Sequence, residues 1–202
     1  MATFSERQRQ VKQQAAQEAI FEAALKVISG ASLEGLKMQD IAAAAGVATG
    51  TLYNYFKNKE ELLYYVDQRL HDQILSKAIE IAHAPVAAGQ RLSLLLQEVF
   101  SFAATYHLVF DLAERSGIVD RIPVQEKQDL LDQAVATFQF ILEDGVAEGA
   151  FRKVDTRKTA AVFFDAVIGI LEIQKYVGTY DFTQAGLDLL GLFREYLRPD
   201  PV

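Results

Sequence analysis

Apolar side chains recur at intervals of three and four residues along almost the entire chain. In the first such segment, these intervals connect Ala16, Ile20, Ala23 and Val27. This spacing places apolar side chains on one face of an α-helix, whereas a half-buried strand would alternate every second residue. No stretch of the sequence shows that alternation, and four prolines and 12 glycines in 202 residues are too few for the many turns of a sandwich or barrel. We therefore predict an all-α fold.

The predicted helices form three consecutive groups. Three helices come first, a long connecting helix follows Asn58, and a bundle of longer helices begins beyond Pro85. Asn58 is predicted to cap the connecting helix, and Asp155 and Asp181 are predicted to cap two of the bundle helices, since their side-chain oxygens accept from free N–H groups at a helix start. The nine predicted helices cover about 7–29, 38–45, 49–56, 59–84, 89–106, 107–115, 123–148, 155–177 and 181–197. This pattern predicts two domains, an N-terminal one over 1–58 and a C-terminal one over 59–202.

Composition excludes several classes of protein. The absence of cysteine excludes disulfide scaffolds, thiolate zinc sites and cysteine nucleophiles. The net charge of −7 argues against indiscriminate coating of nucleic acid, although residues 1–60 carry seven basic and six acidic groups and so lack the acidity of the remainder. The start has no apolar signal segment, and the longest apolar stretch, 160–171, is too short to span a bilayer. We expect a cytoplasmic protein with no membrane partner.

The most informative segment is residues 38–62, MQDIAAAAGVATGTLYNYFKNKEEL. It predicts two short helices joined by Gly46, Val47 and Ala48, with Ala42 and Ala45 small enough to let the helices cross closely. A helix-turn-helix places its second helix in the major groove of DNA, and the polar outer residues of 49–55 fit that role. An ordinary helical hairpin with a polar outer face remains equally open from these residues alone.

The segment as a whole resembles the DNA-binding segment of the tetracycline-repressor-like (TetR) family of bacterial transcription regulators. The resemblance continues more weakly into residues 1–37 and 145–169. The matching residues are Asp40, Ile41, Ala42, Ala45, Gly46, Val47, Gly50, Thr51, Leu52, Tyr53, Tyr55, Phe56, Lys59, Glu60 and Leu62. The resemblance implies a sequence-specific DNA-binding regulator, usually a repressor released when a small-molecule effector of unknown identity binds the C-terminal domain.

The resemblance also implies which residues meet double-stranded DNA. Tyr53, Tyr55 and Lys59 would hold backbone phosphates, while Thr49, Thr51 and Asn54 would face base edges. Lys37 and Gln39 stand at a helix start, where the helix dipole favours a phosphate. Lys37 and Ala48 replace the serine or threonine caps that are usual in the family, so Thr49 is the candidate cap of the recognition helix.

Aromatic residues are frequent in the predicted C-terminal domain. Most of them are expected to form its core, and the resemblance implies that a subset lines a pocket between the helices. We expect a largely apolar effector that is aromatic or acyl-bearing, while the acidic candidates leave room for a cationic compound. Asp165 interrupts an apolar run, and burial without a partner would be costly, so we expect it to have a partner, to reach solvent or to meet a cationic or hydrogen-bonding ligand, with a structural partner favoured. The candidate effector-binding residues are Phe102, Tyr106, Phe110, Phe138, Phe163 and Asp165.

The last two predicted helices are apolar around most of their circumference, which indicates burial on all sides. We therefore predict a homodimer through these helices, with Leu190 and Phe193 in the interface and Gly169, Gly186 and Gly191 allowing close approach. The resemblance implies the same arrangement. A two-fold dimer requires a near-palindromic operator.

No catalytic, cofactor or metal site is predicted. Asp67 and His71 lie one turn apart on a helix and could supply two metal ligands, but a solvated helix face is the favoured interpretation. An enzyme is therefore not expected. The alternative function is a helical ligand-binding or scaffold protein whose helix-turn-helix no longer reads DNA.

Overall fold

A computed structural model describes residues 4–29, 35–173 and 181–199. Over these ranges the chain forms α-helices, one short 3-10 helix and no strand, which confirms the all-α prediction. The helices are α1 (Phe4–Ile28), α2 (Met38–Ala44), α3 (Thr49–Tyr55), α4 (Lys59–Ala82), α5 (Ala88–Arg115), α6 (Val124–Ala147), α7 (Thr156–Ile173) and α8 (Phe182–Tyr196), with the 3-10 helix at Val119–Arg121.

Helix α5 runs without the break that the sequence predicted between residues 106 and 107, so the prediction of two helices there is wrong. The polar residues at this point bond to their own helix. Thr105 Oγ1 donates to the Ser101 carbonyl, and His107 Nδ1 lies 2.9 Å from the Ala104 carbonyl oxygen. Because these groups are satisfied within the helix, they do not interrupt it. The described ranges therefore contain eight α-helices rather than nine.

The predicted helix starts are confirmed by hydrogen bonds. Asp181 accepts from the backbone N–H groups of Thr183 and Gln184, and Asp155 accepts from that of Lys158 at 3.1 Å. At α4, Asn58 accepts from the N–H of Glu61 at 2.8 Å. Each cap satisfies a donor that the helix itself leaves free. The predicted continuation of α7 over 174–177 lies outside the described residues.

Backbone contacts group the chain into two compact units. The first comprises the described residues of 1–70 together with 108–121, and the second comprises those of 71–107 and 122–202. The change from one unit to the other falls inside α4 and again inside α5. The division predicted after residue 58, which follows function rather than backbone contacts, stays a prediction.

In the first unit, α1 packs on α2 and α2 packs on α3. Ile20, Ile41 and Leu52, one from each helix, are fully buried. Asp67 on α4 is only 2% exposed, so the expected solvated face at this position is wrong. No group of three or more ligand-type side chains within the described ranges is placed to hold a metal ion.

In the second unit, aromatic rings from several helices form the core. Phe163 is 1% exposed, and its ring lies 4.7 Å from that of Phe138. Two glycines allow aromatic rings to pack against helices. A Cβ at Gly145 would lie 2.0 Å from the Phe151 ring, and one at Gly186 would lie 2.6 Å from the Phe100 ring. Neither position accepts a side chain without displacing a buried ring.

Helix α5 is long and apolar enough to cross a membrane by length and composition alone, the only helix of the described ranges that meets this test. A core helix of a water-soluble domain meets the same criterion. Leu92, Leu95, Leu96 and Phe100 of α5 are almost completely buried in the core of the second unit. In this fold α5 therefore serves as a core helix.

Candidate nucleic-acid interface

The connection between α2 and α3 is a tight turn over Ala45–Ala48. Gly46 has a φ of +69°, a left-handed conformation that residues with a side chain rarely adopt. The Val47 N–H donates to the Ala42 carbonyl at 3.0 Å, and the N–H groups of Thr51 and Leu52 donate to the Ala48 carbonyl. These bonds fix the direction in which α3 leaves the turn.

The two short helices begin without side-chain caps. Lys37 is the N-cap of α2 and Ala48 that of α3, and neither makes a side-chain capping bond. The expectation that Thr49 caps α3 is wrong, because Thr49 is already the first helical residue. The extended backbone at Ala48, with a ψ of 145°, sets the start of the helix instead.

The exposed face of α3 is centred on Gly50, Tyr53 and Asn54, which we term the recognition face. These residues lie three and four apart, so they share one side of the helix. Tyr53 is 45% exposed, Asn54 is also exposed, and Leu52 on the opposite side is fully buried. No acidic residue occurs in α3. The face therefore offers hydrogen-bonding groups with no negative charge to repel phosphates.

The other predicted DNA contacts surround this face within the same compact unit. Thr49, Thr51 and Tyr55 are half-buried on α3, while Lys37 and Gln39 are exposed at the start of α2. Lys59, half-buried, is the first residue of α4. Tyr53 and Asn54 are thus the exposed predicted contacts on α3, and the two threonines are less exposed than the sequence suggested.

Gly50 is a member of the recognition face that the sequence prediction did not include. A Cβ at this position would meet nothing within 4 Å, so packing inside the chain does not require a glycine. Glycine inside a helix costs about 1 kcal/mol relative to alanine. The available signal was a glycine in the first turn of a seven-residue helix, on its polar side. It is the point at which an outside molecule can approach the helix backbone most closely.

Behind α3, an aromatic group supports the recognition helix. Phe56 is 4% exposed, and its ring lies 5.0 Å from that of Tyr65, which in turn meets Phe21 edge-on. Burial raises the pKa of the Tyr65 hydroxyl above its ordinary value, so the ring stays neutral. Arg69 lies over Phe21 and pairs with Glu18, which places its charge beside the cluster rather than within it.

A short helix, a glycine turn, a second helix with an exposed polar face and an apolar base together define a helix-turn-helix DNA-binding protein. The sequence profile of the family described as "Bacterial regulatory proteins, tetR family" matches residues 20–66, from the middle of α1 into α4. Residues 20–66 therefore form a DNA-binding domain of the TetR type, which confirms the resemblance predicted from the sequence.

Relatives extend the similarity beyond the DNA-binding segment. The chain is 26% identical over 153 residues to the HTH-type transcriptional regulator YhgD of Bacillus subtilis, covering 75% of this chain and 80% of that one. It is 26% identical over 180 residues to the fatty acid metabolism regulator protein of the same organism, covering 88% and 90%. A crystal structure of the Bacillus subtilis regulator FadR with stearoyl-CoA shares the fold, with a TM-score of 0.63, 24% identity and coverage of 90% and 99%.

These similarities confirm the predicted class of protein, a DNA-binding transcriptional regulator. Regulators of this family are in general transcription factors rather than enzymes. The individual DNA contacts and effector contacts stay predictions.

The predicted effector residues lie on three helices, α5, α6 and α7. Phe138 and Phe163 are core residues in mutual ring contact. Phe102 and Tyr106 stack on α5 with ring centroids 4.6 Å apart, and Phe110 follows on the same helix face. Asp165 on α7 is exposed in the single chain, so burial does not demand the structural partner that was expected.

Leu190 and Phe193 were predicted to lie at a dimer interface, and this prediction is wrong. Leu190 is 5% exposed and Phe193 is 9% exposed, and both belong to the core of their own chain. Gly186 also faces the chain's own Phe100. Exposed apolar residues do occur on the same two helices at other positions, and we term them the apolar face of α7 and α8: Val162, Ile168, Ile173, Leu187, Leu192 and Tyr196.

Proposed function

We propose that this chain represses transcription by binding a near-palindromic operator as a homodimer, and that an acyl-bearing small molecule releases it. The recognition face is the observation that carries the DNA-binding part of the proposal. It combines an exposed amide, an exposed phenol and bare helix backbone on a helix without acidic residues. Asparagine pairs bidentately with adenine in the major groove, so Asn54 is the residue proposed to read a base.

The apolar face of α7 and α8 supports the homodimer. Leu192 is 69% exposed and Val162 is 64% exposed, so both present apolar side chains to solvent in the single chain. Gly169 and Gly191 are exposed on the same helices, and a Cβ on either would meet nothing within 4 Å. Mid-helix glycines with open space around them suit close contact with helices of a second copy. Two copies would bury these residues in a four-helix interface.

Two-fold symmetry links this interface to the operator. Each recognition helix would read one half-site, and the half-sites would be related by the same two-fold axis as the subunits. An effector that displaces helices within each subunit would change the separation of the two recognition helices. Operator affinity would then fall because only one half-site fits at a time. A protein acting on chromosomal DNA in this way would work in the cytoplasm.

The effector is proposed to be a fatty-acyl thioester of coenzyme A. The Bacillus subtilis relative named above is a fatty acid metabolism regulator, and the structure of FadR contains stearoyl-CoA. This chain offers apolar and aromatic side chains along α5, α6 and α7, as an acyl chain requires. Phe102, Tyr106 and Phe110 lie on one face of α5 and are the first candidates for the acyl contact.

The test begins with recovery of DNA fragments from bacterial genomic DNA on the immobilised protein. Gel shifts on the recovered fragment then compare wild type with Tyr53→Ala, which keeps the buried side of α3 intact. We expect wild type to bind and the variant to bind more weakly. Addition of stearoyl-CoA should release the DNA, whereas free coenzyme A should not. Failure of wild type to enrich any fragment would support the alternative of a ligand-binding protein that no longer reads DNA.

A further inference from the structure

Arg91 is a buried cation in the second unit that the sequence prediction did not single out. It lies in the first turn of α5 and is 4% exposed. Its Nη1 donates to Asp144 Oδ2 at 2.7 Å and to the Ala82 carbonyl at 2.8 Å. Its Nη2 lies 3.3 Å from Glu148 Oε1. The Ala88 N–H donates to the second oxygen of Glu148 at 3.2 Å. We term these five residues the Arg91 junction.

The junction joins the ends of three helices. Ala82 is the last residue of α4, Ala88 is the first of α5, and Asp144 and Glu148 lie at the end of α6. The α4 carbonyl and the α5 N–H are groups that their own helices leave free. Asp144 and Glu148 lie at the C-terminal end of α6, where the helix dipole disfavours negative charge. The positive charge of Arg91 offsets this effect and also the repulsion between the two carboxylates.

Stability alone does not account for an arginine at this position. Its Nε is buried and has no hydrogen-bond partner in the part of the chain that the structure describes, which is unfavourable. Apolar residues of similar volume commonly match or exceed the stability of a buried ion-pair network. An apolar cluster makes no directional hydrogen bonds, so it would not hold the Ala82 carbonyl and the carboxylates of Asp144 and Glu148 at fixed positions.

We propose that Arg91 is a positioning residue for operator binding, which ties the end of α4 to the end of α6. The proposal rests on the proposed function. Helix α4 is continuous from Lys59 to Ala82, and only three residues separate its start from the recognition helix. Fixing the end of α4 therefore restricts the movement of the helix that directly follows the recognition helix in the chain.

The experiment separates positioning from stability. In the triple variant Arg91→Met/Asp144→Leu/Glu148→Gln the ionic network is replaced, while the glutamine amide oxygen still accepts from the Ala88 N–H. The single variant Arg91→Met leaves two carboxylates unpaired and should lose stability. The control Lys77→Met/Glu80→Gln removes an exposed ion pair from α4 itself, one turn before its end, without touching a helix end. The measurements are urea unfolding, oligomeric state, and affinity for the fragment recovered with wild type and for unrelated DNA.

We expect the triple variant to unfold near the wild-type urea concentration and to keep the wild-type oligomeric state. Its affinity for the recovered fragment should fall about tenfold, with little change for unrelated DNA, as couplings carried by such networks commonly amount to that factor. The Lys77 control should bind like wild type. A triple variant that unfolds like wild type and keeps full specific affinity would overturn the proposal. If the triple variant is unstable, Arg91→Lys at a permissive temperature provides the same comparison. Failure of wild type to bind DNA would instead refute the proposed function.

Discussion

Two exposed surfaces of this protein differ in how well the sequence predicts which of their residues are exposed. The recognition face of α3 is polar and belongs to a helix of seven residues held between Gly46 and Phe56. The apolar face of α7 and α8 belongs to helices of 18 and 15 residues that are also apolar on their buried sides. On α3 the sequence prediction named two residues that are exposed, Tyr53 and Asn54, whereas on α8 it named Leu190 and Phe193, which are buried.

The difference has a physical cause. On α3, one apolar residue, Leu52, faces inward, so the outer side follows from the helical period alone. On α8, apolar residues occur at consecutive positions, such as Leu189 and Leu190 or Leu192 and Phe193. The period then does not distinguish the side that meets the core from the side that meets a partner. Only tertiary packing decides, and it places Leu190 and Phe193 inside.

The largest effect is expected at the apolar face of α7 and α8. Leu192→Asp places a charge at a 69% exposed position and should give a folded monomer of 22.5 kDa. Because both half-sites must be held together, operator affinity should fall by about 10² to 10⁴. Light scattering at micromolar concentration and gel shifts measure the two effects.

Leu190→Asp is the matched control for Leu192→Asp. Residue 190 is buried, so a charge there should unfold the second unit rather than separate two folded copies. Circular dichroism distinguishes the two outcomes. A Leu192→Asp protein that remains dimeric would show that the partner, if any, docks elsewhere.

The second prediction concerns base and phosphate contacts around the recognition face. Asn54→Ala should relax preference at one base position, costing about 1–3 kcal/mol for the preferred base and little for the others. Lys59→Ala should weaken binding to all sequences and lower the slope of log affinity against log salt by about one. Selection from randomised operators tests the first, and salt titration tests the second. If Asn54→Ala retains full base preference, the half-buried Thr49 and Thr51 become the candidates for base recognition.

Short-range features of the fold were predictable because they depend on neighbouring residues. The caps at Asn58, Asp155 and Asp181 each require one side chain and the helix that follows it. The helix break predicted before His107 is wrong because the polar side chain there bonds to the backbone of its own helix. The spacing of apolar residues does not reveal such a bond. The Arg91 junction was not predictable, because residues 53 and 57 positions apart supply its carboxylates. A single sequence does not show which distant acids meet a buried arginine.

The third prediction uses Gly50 to separate fold stability from DNA binding. Gly50→Ala adds a methyl group that would meet no packed neighbour within 4 Å, so it should stabilise α3 by up to about 1 kcal/mol. The same methyl group should weaken operator binding if DNA approaches the helix backbone at this point. Urea unfolding and gel shifts should therefore change in opposite directions. Ala44, an exposed alanine at the end of α2, allows the reverse control Ala44→Gly, which should reduce stability alone.

The smallest effect is expected at the start of α7, where the cap was predicted from the sequence. The hydrogen bond from the Lys158 N–H lowers the pKa of Asp155 below its ordinary value. A carboxylate whose pKa is lowered by folding stabilises the folded state above its unfolded pKa, and that contribution disappears as the pH falls through the folded pKa. Asparagine also caps a helix but does not titrate in this range. The stability difference between wild type and Asp155→Asn should therefore be constant near neutral pH and shrink below about pH 4. Urea midpoints of the two proteins, measured in parallel from neutral to acidic pH, provide the test. A difference that stays constant across this range would mean that Asp155 caps α7 through hydrogen bonding alone, with no contribution from its charge.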